Sequence, residues 1–63
     1  MSSHRKPLIE RAYELARSGQ ATSFSDIVAI LKRERYDDIA AQLGGPVIRH
    51  ALRKLCAEAD AGN

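Results

Sequence analysis

A single cysteine, no tryptophan, three aromatic side chains and two prolines mark this 63-residue chain by scarcity. One thiol cannot close an intrachain disulfide, and His4, His50 and Cys56 fall in no zinc-ligand spacing, so no disulfide, metal site or cofactor is expected. Cys56 reads as a small thiol, buried or half-buried at the edge of the last helix. With Tyr13, Phe24 and Tyr36 the only aromatics, the core has to come from Leu, Ile, Val and Ala, a composition that favours helices over strands. No apolar run is long enough to cross a bilayer, and the basic opening from Met1 to Pro7 leads into no uninterrupted apolar stretch, so no membrane role and a reduced, cytoplasmic setting are expected. The absences also speak against an enzyme. There is no nucleophile-base-acid set and no phosphate-cradling glycine loop, and His50 has no carboxylate beside it in sequence, so no catalytic residue is expected.

What is present has to work at small scale. A domain near 60 residues buries only about 60% of the surface its unfolded chain exposes, so a lone copy should be marginally stable, and dimerisation is one remedy. The net charge of +2 is a mild excess whose distribution says more than its sum. Arg5 and Lys6 open the chain, Lys32, Arg33 and Arg35 lie in the middle, and Arg49, Arg53 and Lys54 come late.

Taken in order, residues 1–6 lack periodicity and read as a flexible basic arm, after which Pro7 suits the first turn of a helix. Between Leu8 and Ser18 the residues Leu8, Ile9, Ala12, Leu15 and Ala16 share one face, with Glu10, Arg11, Glu14 and Arg17 opposite, and Gly19 can close that helix in the left-handed conformation. Ser23-Phe24-Ser25-Asp26 is a capping-box pattern, in which Ser23 accepts from the backbone three residues on and Asp26 reaches back. The second helix should start near Phe24 and end among Lys32, Arg33 and Arg35, where cations complement the negative end of the dipole. Asp37 can cap a short third helix with Ile39, Ala40 and Leu43 inward and Ala41 and Gln42 outward, ended by Gly44. Gly45 then serves as N-cap and Pro46 as the first residue of a fourth helix running to Glu58 or Ala59, before residues 60–63 fray. Asp26-Ile27-x-Ala29-x-Leu31 is echoed by Asp38-Ile39-x-Ala41-x-Leu43, a spacing too short for a solenoid repeat.

The fourth helix divides by arithmetic. At about 100° per residue, Ile48, Leu52, Leu55 and Ala59 form one stripe with Val47, Ala51 and Cys56 at its edges, while Arg49, His50, Arg53 and Lys54 gather opposite, uninterrupted by a carboxylate before Glu58. The expected fold is an all-α, small orthogonal bundle of three longer helices and one short one, a single domain over residues 7–59. Its expected core is Leu8, Ala12, Leu15, Phe24, Ile27, Val28, Leu31, Ile39, Leu43, Ile48, Leu52 and Leu55.

The run Asp38-Ile39-Ala40-Ala41-Gln42-Leu43-Gly44, followed by Ile48, Leu52 and Leu55, resembles the helix-turn-helix of bacterial DNA-binding regulators, with a turn about two residues shorter than the usual one. The resemblance covers residues 38–55. It implies that Ile39, Ala40 and Leu43 pack the positioning helix, that Ile48 and Leu52 anchor the recognition helix, and that Arg49, His50, Arg53 and Lys54 face double-stranded DNA. Apart from the resemblance, a basic N-terminal arm can reach along a nucleic-acid groove, which makes Arg5 and Lys6 further candidate contacts. The alternative is a small helical adaptor, antitoxin-like module or inhibitor. It would dock its basic face or an uncovered apolar groove on a protein partner, with Tyr13, Phe24 or Tyr36 as anchors, and would not bind DNA.

Overall fold

The computed structural model describes residues 6–61. These form four helices, α1 (Leu8–Ser18), α2 (Phe24–Arg33), α3 (Ile39–Leu43) and α4 (Pro46–Ala61), with no strand among the described residues. The expected all-α small bundle is what the chain adopts.

Local signals set most of the boundaries. Pro7 takes the N-cap position of α1 rather than the first turn, and its carbonyl accepts from the Arg11 amide at 2.9 Å. Gly19 closes α1 at φ 82°, the left-handed conformation that costs glycine nothing. Ser23 caps α2 by accepting from the Asp26 amide at 3.2 Å. The reciprocal half of the expected capping box is replaced, because the Asp26 carboxylate accepts instead from the amide and the hydroxyl of Thr22, at 3.2 and 2.7 Å. Two donors on one residue outcompete the single Ser23 amide.

The far end of α2 is a Schellman closure, with the Tyr36 amide donating to the Leu31 carbonyl and the Arg35 amide to the Lys32 carbonyl. Arg35 holds the left-handed position at φ 67°, where glycine is usual. The chain then has two residues in which to turn into α3. It does so with Asp38 at φ 56° in the N-cap position and without a side-chain cap, so Asp38 stands where Asp37 was expected and works through backbone conformation instead. Gly44 follows α3 in a right-handed conformation, and α4 opens with Pro46 as its first residue and the Gly45 carbonyl accepting from the Arg49 amide at 3.0 Å. The last helix runs to Ala61, past its expected end at Glu58 or Ala59. Ala57 and Ala59 are strong helix formers and nothing before Gly62 breaks the run.

The core lies where α1, the helix most extensively packed on α4, meets Ile27 and Leu31 of α2 and Leu52 of α4. Fully enclosed residues include Ala12, Ala16 and Ala21, whose small side chains let the helices approach. Phe24, Val28, Ile48 and Leu55 were expected in the core and are only half-buried, and Ala40, expected inward, is exposed. Four helices, one of five residues, do not supply enough surface to cover every apolar face. The twelve-residue echo is real in burial: Ile27 and Leu31, like Ile39 and Leu43, point inward, while Ala29 and Ala41 are exposed.

Candidate functional site

On α4 the inward stripe is held by Leu52 and Cys56, both buried, and the outward face carries Arg49, His50, Arg53 and Lys54, all exposed. The four cationic and polar side chains share the outer face that the helical period gives them, whereas the buried stripe is centred on Leu52 and Cys56, the latter expected only at its edge. Among the described residues none of these four side chains makes a hydrogen bond or an ion pair. Arg49 has a different neighbour: its guanidinium carbon lies 5.4 Å from the centroid of the Phe24 ring, a cation–π contact that leaves the N–H groups available.

Arg49 is also the residue shared by three concavities. One, of about 400 Å³, lies between α4 and the start of α2, where Thr22, Ser23 and Ser25 face Arg49 and Arg53, with Cys56 at its floor. A second, of about 230 Å³, runs along Pro46, Arg49, His50 and Arg53. The third, of about 220 Å³, is apolar and is formed by Phe24 and Val28 of α2 with Ile39, Ala40 and Leu43 of α3. No carboxylate among the described residues lines any of them. Asp26 is close enough to act electrostatically on Cys56, but its Oδ2 accepts from both donors of Thr22, and those bonds hold its carboxyl below the usual range. Burial first, and Asp26 second, push the Cys56 thiol up, which favours its protonated form.

The charged face of α1 is organised quite differently. Arg11 donates through Nε and Nη2 to both oxygens of Glu34, at 2.9 and 2.6 Å, and through Nη1 to Glu14 at 2.8 Å. These bonds, Glu34 first, raise the Arg11 guanidinium further above its already high range. Lys6 donates to the other Glu14 oxygen at 2.7 Å, and the Tyr36 hydroxyl donates to the Lys6 carbonyl at 2.7 Å. Lys6 is therefore engaged at the end of α2 marked by Tyr36, whereas Arg49 rests on Phe24 at its beginning, about 15 Å of helix away. The quartet on α4 is brought together and Lys6 is not part of it. Arg5 lies outside the described residues.

The α3–α4 corner differs from the arrangement that the helix-turn-helix resemblance implies. Ile39 and Leu43 are buried, but α3 rests on α1 and α2, and its contact with α4 is the weakest among the helices. Leu52 is fully enclosed while Ile48 is half-buried, and Val47, expected at the edge of the apolar stripe, is 81% exposed. The corner is tight for a steric reason: a Cβ on Gly44 would stand 2.7 Å from the Ala40 carbonyl oxygen. The sequence gives no sign of the Arg11–Glu34 pair, and it does not locate the uncovered apolar groove that the adaptor reading expects. The Arg11–Glu34 pair spans 23 residues and has no local signal, and the apolar groove needs α2 and α3 side by side. The small residues Ala40 and Gly44 were the only hint of it. No helix among the described residues is long and apolar enough to cross a membrane. Comparison with protein-family models, with curated proteins and with solved structures finds no match to this chain.

Proposed function

We propose that the chain is a small regulatory DNA-binding protein that lays the outward face of α4 on double-stranded DNA. The observation that carries this reading is the exposed quartet Arg49, His50, Arg53 and Lys54, which no carboxylate among the described residues neutralises. Arg49 and Arg53 stand one helical turn apart and are placed to contact phosphates or base edges, with Lys54 and His50 flanking them on the backbone. The cations of α2 have a structural use at the negative end of its dipole and are left out of the site.

Neutralising phosphates with Arg49, Arg53 and Lys54 releases about three counterions' worth of charge, so affinity for random duplex DNA should fall about 40-fold between about 50 and 200 mM salt. Fluorescence anisotropy at those two salt concentrations tests this. An Arg49→Ala/Arg53→Ala variant whose helicity is retained should bind more weakly and show about a third of the salt slope. Equal, salt-independent signals from both proteins would reject the reading. The alternative, a helical protein-interaction module that does not bind DNA, is favoured by one observation, the apolar groove beside Arg49.

A further inference from the structure

We infer that the apolar groove between α2 and α3 receives an acidic amphipathic segment of a partner protein, with one large apolar side chain seated in the groove and a carboxylate meeting Arg49. This gives the protein-interaction reading its partner class and does not depend on DNA binding.

The groove has the dimensions of an anchor site. At about 220 Å³ it is smaller than the pockets that enclose drug-sized ligands and larger than a cavity that holds benzene, which suits one aliphatic or aromatic side chain. Its walls are the half-buried Phe24 and Val28, its floor the buried Ile39 and Leu43, and its lip the exposed Ala40. A half-buried ring and a half-buried Val on neighbouring turns of α2 leave apolar area in water that the chain's own described residues do not cover.

Charge selects the occupant. Among the described residues the sole charged one lining the groove is Arg49, which has no carboxylate partner among them, and beyond it lie Arg53 and His50. A second copy docking here by a twofold contact would bring this cationic rim against its own counterpart, and like charges disfavour that pairing. Duplex nucleic acid keeps its base faces stacked and presents no protruding large apolar side chain to fill such a site. An amphipathic helix with an apolar face and carboxylates along its edge satisfies both the groove and the rim.

The test uses the full chain and two synthetic helical peptides with identical Leu and Phe positions, one carrying Glu at every polar position and the other Lys. Titration followed by ¹H–¹⁵N correlation spectra should give saturable binding of the Glu peptide, with the largest shifts at Phe24, Val28, Ala40 and Arg49, and at least about tenfold weaker binding of the Lys peptide. Ala40→Leu fills the groove from its exposed lip and should weaken the Glu peptide about tenfold or more while leaving helicity and DNA affinity unchanged. Arg49→Glu provides a second variant that keeps the apolar walls and floor of the groove but inverts the charge at its edge, and it should reverse the preference in favour of the Lys peptide. Equal affinity for the two peptides, no saturation at about millimolar peptide, or indifference to both variants would overturn the proposal. So would self-association of the wild-type chain in sedimentation equilibrium that Ala40→Leu abolishes, because the groove would then belong to a second copy.

Discussion

The outward faces of α1 and α4 carry similar charge densities and are used in opposite ways. On α1, Arg11 is tied to Glu14 and Glu34, and Glu14 is tied in turn to Lys6, so the face fastens the start of the chain and the end of α2 to the first helix. On α4, four exposed side chains of mostly one sign touch no carboxylate among the described residues. A charge that closes the fold has a partner within it; a set of like charges without partners contributes repulsion to the folded state and is explained better by something outside it. The contrast separates residues that maintain the molecule from residues free to act on another one.

The largest effect should come from the side of α4 that does belong to the fold. Leu52→Ala and Leu15→Ala each remove a fully enclosed side chain and should cost about 2–5 kcal/mol, against a total stability of about 3–9 kcal/mol for a chain of this length. Urea titration checks this. A loss below about 1 kcal/mol for Leu52→Ala would show that α4 is peripheral, and the contrast between its two sides would fail.

Next come the two helix ends, where glycine is needed for different reasons. Gly44→Ala would drive a methyl into the Ala40 carbonyl and should cost about 1–3 kcal/mol, while Gly19→Ala, with space around it but φ at 82°, should cost about 1 kcal/mol from backbone strain. Thermal melts of the two variants give the order, and a larger loss at Gly19 would mean that the α3–α4 corner is looser than its geometry.

The third prediction exchanges the two charged faces. Arg11→Met should lower stability by about 1 kcal/mol because it removes the hydrogen-bonded ion pairs to Glu14 and Glu34, whereas Arg53→Met should change it by less than about 0.5 kcal/mol. In DNA anisotropy the ranking should reverse, with Arg53→Met weakening binding and Arg11→Met leaving it unchanged.

The smallest effects are titrations. Hydrogen bonds from Lys6 and then Arg11 hold the Glu14 carboxyl below its usual range, and those from Thr22 do the same for Asp26. A depressed folded value means stability that is complete above about pH 4.3 and is lost as pH falls through the folded values, so the urea midpoint should decline in acid, less steeply in Glu14→Gln and Asp26→Asn. Cys56 has the opposite sign. Its raised thiol contributes stability that is complete below about pH 8.5 and is lost as pH rises through the folded value, and Cys56→Ser should flatten that alkaline decline.

How much of this was legible in the sequence follows the range of each interaction. The bounds of α1, the left-handed Gly19, the Ser23 cap and Pro46 at the head of α4 are decided by neighbours within a few residues, and those signals can be read directly. The shared face of Arg49, His50, Arg53 and Lys54 follows from helical period alone. Arg35 and Asp38 in left-handed conformation are not legible, because a non-glycine residue adopts that backbone only where the Schellman closure and the short turn into α3 leave no alternative. Depth of burial is also hidden. Periodicity tells that Phe24 and Val28 share the inward side of α2, but how far they sink depends on how much of α3 there is to cover them.

The cation–π contact of Arg49 with Phe24 has a consequence for the cost of association. A free arginine side chain holds roughly 2 kcal/mol of rotamer entropy that an incoming partner must remove. With its guanidinium already held over the ring, Arg49 has surrendered part of that freedom beforehand, whereas Arg53 and Lys54 retain theirs. Whatever the molecule grips, Arg49 is the finger already half closed.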